Sequence, residues 1–91
     1  MILCAGEALI DMLPRKATTG EAAFAPHAGG AVLNTAVALG RLDVPVQFFS
    51  GLSSDLFGDV LRDHLDASRV DHSPVTTSDR PTTLAFVKLV D

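Results

Sequence analysis

Asp11, the pair Gly29-Gly30 and Asn34 are the residues whose types and spacing suit chemistry. The stretch "HAGGAVLNTAVALG", residues 27–40, sets two adjacent glycines directly before an alanine-rich helical pattern. Glycine is poor inside a helix, so the pair serves the turn before it. Glycines at a strand-to-helix junction have two common uses. One lets phosphate approach the N–H groups of a helix N-terminus. The other lets a neutral ligand lie against the chain while nearby side chains read it. The first calls for Gly-Lys-Ser/Thr or G-x-G-x-x-G, and neither occurs at this junction. For the second, Asn34 donates and accepts at once, which matches a sugar hydroxyl, and Asp11 can accept from two hydroxyls. Plainer readings stand beside these: Asp11 as a turn acid, the glycines as a helix entry alone, Asn34 as a solvent-facing helical residue. Glu7 and Asp55 read as structural, and His27 as an exposed strand residue, with contact to a ligand as its other reading.

These residues need elements to hold them. "MILCA" ends at Gly6, so Ile2 to Ala5 reads as a buried strand of the kind found at the centre of a parallel sheet. "ALIDML" reads as a second extended piece, ended by Pro14, which has no N–H for a ladder. "RKATTGE" is turn-like, and "AAFAPHAGG" suits an exposed edge strand with Phe24 its one large apolar residue before Pro26. "AVLNTAVALGRL" has helical spacing, with Val32, Ala36 and Leu39 on one face and Leu33, Val37 and Gly40 beside it. "DVP" ends this helix and "VQFFSGL" is the next strand, which together suggest a βαβ unit. In "SSDLFGDVLRDHLDAS", Ser53, Ser54 and Asp55 all suit an N-cap. Phe57, Val60, Leu61 and Leu65 make its buried stripe, Asp59, Arg62, Asp63 and Asp66 its wet face, and His64 a surface or boundary position. "RVDHSPV" reads as a short strand or its approach, and "TTSDRP" as a turn. "TTLAFVKLVD" alternates, with Leu84, Phe86 and Lys88 on one side and Ala85, Val87 and Leu89 on the other.

Composition removes several function classes. The chain has 91 residues, enough for one small domain, and 47% of them are apolar, which argues against disorder. Net charge is −4, without the basic stripe that a nucleic-acid or anionic-membrane binder needs. Five Phe and no Trp or Tyr leave little platform for base stacking. The lone Cys4 excludes an internal disulfide and reads as a buried small hydrophobe. No His or Cys stands at zinc spacing around it, so no metal site is expected. The start of the chain lacks a basic n-region, and no apolar run approaches ~20 residues, so a cytoplasmic location is expected.

"GGAVLNTAVALGRL" followed by "FFSGLSSDLFG" resembles the N-terminal signature of the ribokinase-like (PfkB) carbohydrate kinases. That signature runs Gly-Gly, a short gap, Asn, a small-residue helix, a strand and an Asp-x-Phe-Gly helix start. "CAGEALIDMLP" and "RPTTLAFVKLVD" are similar too, particularly to the bacterial fructokinases, so the resemblance covers essentially the whole chain. Three positions depart from the pattern. Val32 stands where proline or glycine is usual, Asp43 where the helix-ending glycine is usual, and Ser53 in place of a glycine.

The resemblance implies an α/β fold: the N-terminal part of a Rossmann-type three-layer architecture, a parallel sheet with flanking helices, plus strands of a small β-lid. It implies that Asp11 accepts hydrogen bonds from sugar hydroxyls, that Gly29 and Gly30 floor the sugar pocket, and that Asn34 bonds a hydroxyl. Segments near 15–27 and 83–90 would form the lid, which would also join two subunits in a homodimer. The implied activity is ATP-dependent phosphorylation of a sugar hydroxyl, fructose first, with ribose, ketodeoxygluconate or a nucleoside as alternative acceptors. The family's catalytic aspartate lies in a Gly-Ala-Gly-Asp motif, which does not occur in these residues. Residues 1–91 are therefore expected to be the sugar-binding portion, inactive alone, with the ATP and Mg²⁺ sites elsewhere in the full enzyme. Two other classes stand against this reading: a non-catalytic sugar-binding module, and a dinucleotide-binding domain of an oxidoreductase, which the missing G-x-G-x-x-G disfavours.

Overall fold

The computed structural model describes residues 1–88. Nine elements follow one another: β1 (Ile2–Ala5), β2 (Leu9–Lys16), β3 (Ala22–Gly29), α1 (Ala31–Arg41), β4 (Val46–Phe49), β5 (Gly51–Ser53), α2 (Leu56–Ala67), β6 (Thr76–Ser78) and β7 (Leu84–Phe86). They divide into an α/β body and a three-stranded lid sheet.

In the body, β1 pairs parallel with β4 from Ile2–Val46 to Ala5–Phe49. Beyond β4, Asp71 makes a single parallel bridge to Gln47, and β6 pairs parallel with β5. "VQFFSGL" is thus two strands with Ser50 between them, and part of the expected turn "TTSDRP" is the strand β6. The reason lies in β5: three residues ending at Ser53 present an open edge, and Thr76–Ser78 are β-compatible residues that fill it. The helices place their apolar stripes on this sheet. Leu33, Ala36, Val37 and Gly40 of α1 are buried, as are Leu61 and Leu65 of α2, and all but Gly40 form one cluster with Cys4, Ile10, Val46 and Phe48. Val32, Leu39, Phe57 and Val60 pack partly against that cluster.

β1 differs from the buried strand that its composition suggests. Only Cys4 is buried in it, while Ile2 and Leu3 are 44% and 58% exposed. Among the described residues β1 has one neighbour, β4, and the face carrying Leu3 and Phe49 is uncovered. The described residues therefore form two layers, helices and sheet, of the three that the resemblance implies.

The lid sheet has the order β3-β2-β7, with β2–β3 antiparallel from Leu9–Gly29 to Lys16–Ala22 and β2–β7 parallel. Pro14 does not end the second strand; it lies inside β2 opposite Phe24. Ile10 N–H donates to Thr83 O and Met12 O accepts from Val87 N–H, so even residues of β2 face the β7 edge. Pro14 falls one step past Met12–Phe86, the last pair with β7, where no N–H is needed. β3 is an edge strand with Phe24 half exposed, and Phe24 meets Phe86 edge-on across β2 at 5.2 Å between ring centroids. Leu89 and Val90, counted with the lid from the sequence, lie outside the described residues.

Asp55, not Ser53 or Ser54, is the N-cap of α2: its Oδ1 accepts from Gly58 N–H at 2.8 Å. Ser53 supports it by accepting from Asp55 N–H at 3.1 Å, a role closed to the glycine usual there. Arg62, expected on the wet face, is only 21% exposed in its side chain and donates to Ser53 O at 2.8 Å and Thr77 Oγ1 at 3.2 Å. It joins α2 to both β5 and β6. Asp43 stands in the left-handed region (φ 61) that glycine usually fills, held by Arg69 at 3.0 Å. Among the described residues no helix is long and apolar enough to cross a membrane.

Candidate functional site

The two glycines answer to different demands. Gly30 precedes α1 with φ 106, a conformation that L side chains rarely adopt. A Cβ there would also come within 2.9 Å of Glu7 O. Gly29 is buried at the end of β3, and a Cβ on it would collide with the Asp11 carboxylate. The bare backbone at 29 is therefore what lets Asp11 lean over the junction. Asp11 is half-buried on β2, flanked in register by His27 on β3 and Ala85 on β7.

Helix α1 begins at the same place. Asn34 N–H donates to Gly30 O at 2.9 Å, the first bond of the helix. The earlier N–H groups, of Ala31, Val32 and Leu33, have no carbonyl within the helix to bond. No side chain caps them, and no acid stands in the first turn. Asn34 is exposed, and among the described residues its amide makes no side-chain hydrogen bond. The structure thus groups Asp11, Gly29, Gly30 and Asn34 at one junction of lid and helix. A carboxylate there accepts hydroxyl hydrogens, an open helix start donates to hydroxyl oxygens, and an amide does both. That is the complement of a polyol.

A cleft of about 390 Å³ adjoins this junction through Glu7 and Ala8, the segment that Gly30 packs upon. Ser50, Ser53, Ser78, Arg80 and Thr82 also line it. Asp11, the glycine pair and Asn34 lie outside its lining, so the cleft neighbours this junction. Two contacts escaped the sequence reading. His27, read as an exposed strand residue with ligand contact as its alternative, is exposed on β3 and is the cross-strand partner of Asp11. Asp55 bonds Thr82, which lies 27 positions away and has no local signal joining it to Asp55. The Thr82 hydroxyl and then its N–H hold the Asp55 carboxyl down to about 2, with the Gly58 N–H adding to the effect.

Known proteins share this fold. The whole chain, residues 1–91, matches the pfkB family carbohydrate kinase profile. A fructokinase of Rhizobium leguminosarum bv. trifolii is 60% identical over 91 residues, covering 100% of this chain and 28% of that protein. The crystal structure of a fructokinase from Xylella fastidiosa superposes with a TM-score of 0.88 at 47% identity, over 98% of this chain and 28% of that one. An aminoimidazole riboside kinase from Salmonella enterica, solved with aminoimidazole riboside and an ATP analogue, superposes at 0.84 with 25% identity, over 94% and 28%. The chain therefore spans about 28% of the length of the curated fructokinase it matches. With the Gly-Gly junction, Asn34 and the Asp55 helix start in the order of the family signature, and a profile match from end to end, the chain belongs to the pfkB family of carbohydrate kinases.

Proposed function

We propose that residues 1–91 form the sugar-binding portion of a cytoplasmic, ATP-dependent carbohydrate kinase whose acceptor is fructose. The observation that carries this is the contact of Asp11 with the bare backbone of Gly29, directly before an uncapped helix start. Asp11 orients the sugar by accepting from its hydroxyls, Gly29 and Gly30 let the ring approach the backbone, and Asn34 bonds a further hydroxyl. The lid sheet shields the sugar from water. The fructose assignment draws support from the 60% identity to a protein named fructokinase.

ATP and Mg²⁺ belong to a portion outside this chain. The Gly-Ala-Gly-Asp stretch of the family does not occur in residues 1–91, and no step of phosphoryl transfer is assigned to them. The enzyme is a homodimer through the lid. Phe24, Leu84 and Phe86 support this: they are 49%, 38% and 62% exposed on one face of the lid sheet, an apolar surface that a second lid would cover.

The test is phosphorylation by the complete kinase carrying residues 1–91, with ATP and fructose, ribose, ketodeoxygluconate or a nucleoside in turn. Fructose is expected to give the highest kcat/KM. A higher value with another acceptor overturns fructose. Sugar binding without ATP turnover for any acceptor overturns the kinase reading in favour of a binding module.

A further inference from the structure

Besides the packing of Ile10, Met12 and Ala28 against the core cluster, the lid sheet joins the α/β body at three places. Two are covalent turns beside the site: residues 6–8 lead from β1 into β2, and Gly30 leads from β3 into α1. The third is the approach to β7. Residues 79–83 belong to no strand, and they hang on the start of α2 instead. Asp55 Oδ2 accepts the Thr82 N–H at 2.9 Å, and Oδ1 accepts the Thr82 hydroxyl at 2.6 Å. The next residue, Thr83, accepts from Ile10 N–H at 3.0 Å, and Ala85 stands directly beside Asp11 in the β2–β7 register. A chain of hydrogen bonds thus runs from α2 to the strand that carries Asp11.

Capping α2 does not require this arrangement. A cap needs one acceptor oxygen, and Asn or Ser serves as well as Asp. Here the second oxygen and a shared first one are spent on a residue outside the helix. The post is firm, because Leu61 and Leu65 of α2 are 1% and 0% exposed. What it holds is weak without it: β7 has three residues and pairs with β2 alone among the described strands.

We infer that Asp55 is a positioning residue for sugar capture: by holding Thr82 it fixes β7, and through β7 it sets where Asp11 stands over Gly29 and Gly30. This rests on the sugar-kinase reading above. The direct consequence is a split between binding and turnover, since Asp55 touches neither the sugar residues nor any reacting group.

The test uses the complete kinase with Asp55→Asn, Thr82→Val and the double variant. Asparagine keeps the Gly58 cap but turns an NH₂ towards Thr82, and valine removes only the hydroxyl. Each single variant is expected to raise the KM for sugar about fivefold or more, with kcat and the KM for ATP within about twofold of the parent. Amide exchange at Ile10 and Val87, which bond across β2 and β7, is expected to quicken about tenfold or more. The double variant should be no worse than Asp55→Asn, because both break one connection. Unchanged KM and unchanged exchange in folded variants overturn the inference. So does a fall in kcat and thermal stability at constant KM, which marks a purely structural role. If the complete kinase phosphorylates no sugar, the sugar reading fails by that result, while exchange at Ile10 and Val87 still decides whether Asp55 holds β7.

Discussion

Asp11→Ala removes the carboxylate that leans over Gly29. A hydrogen bond to a charged group contributes about 1.5–3 kcal/mol, so sugar affinity in the complete kinase is expected to fall about 10- to 150-fold, with ATP affinity unchanged. Calorimetry with each ligand alone checks this, and an unchanged sugar affinity in a folded variant reduces Asp11 to a structural residue of β2. Gly30→Ala tests the neighbouring backbone. With φ 106 and Glu7 O 2.9 Å from the new Cβ, it is expected to destabilise the fold by about 1–3 kcal/mol, read by denaturant unfolding. Asp55 gives a pH dependence. Its folded value, about 2, lies below the ordinary 3.8, so its contribution is present above 3.8 and is lost as pH falls through about 2. Acid unfolding of the parent should therefore steepen within that window relative to Asp55→Asn. Equal acid profiles would show that Thr82 does not bond the ionised form.

At the scale of elements, Arg62 shows how a helix and two strands depend on one side chain. Arg62→Ala removes charge-assisted bonds to Ser53 O and Thr77 Oγ1 and is expected to cost about 1–3 kcal/mol of stability. Charge and position made Arg62 look like a solvated helix residue. Its partners lie on β5 and β6, and nothing in the helical period points to them. The same holds for Thr76–Ser78, whose composition says turn and whose neighbour makes them a strand. The lid is testable as one element. Phe86→Lys places a charge on the apolar face shared with Phe24 and Leu84. It is expected to shift the complete kinase towards monomer and raise its KM for sugar, read by light scattering at micromolar concentration and by kinetics. A variant that stays dimeric with unaltered kinetics removes the lid from the proposed interface.

The molecule as a whole is open. Its radius of gyration is 14.2 Å and its extents are 45 × 31 × 22 Å, whereas a compact chain of this length has a radius of about 12 Å. Ile10 packs the lid sheet into the body's core, while Leu3 and Phe49 leave an apolar sheet face in water. Such a surface calls for further protein to cover it. The isolated 91 residues are accordingly expected to show no turnover of fructose and ATP with Mg²⁺ above background, and to self-associate in solution. Turnover by the purified chain would place a complete active site within it.

Local chemistry determined much of this protein. Periodicity fixed α1 and α2 and their buried stripes, because an amphipathic helix writes its packing face into consecutive turns. The glycine pair, Asp11 and Asn34 were legible as one cluster, because each is defined by residue type beside a strand-to-helix junction. Tertiary structure alone decided the rest. It separated the two glycines into a strained turn and a close approach to Asp11. It placed Pro14 inside β2, past the reach of β7, and left β1 exposed despite its apolar run. It also turned the cap Asp55 into an anchor for Thr82. These features depend on which strand edge or side chain arrives from a distant part of the chain, and sequence spacing carries no record of that arrival.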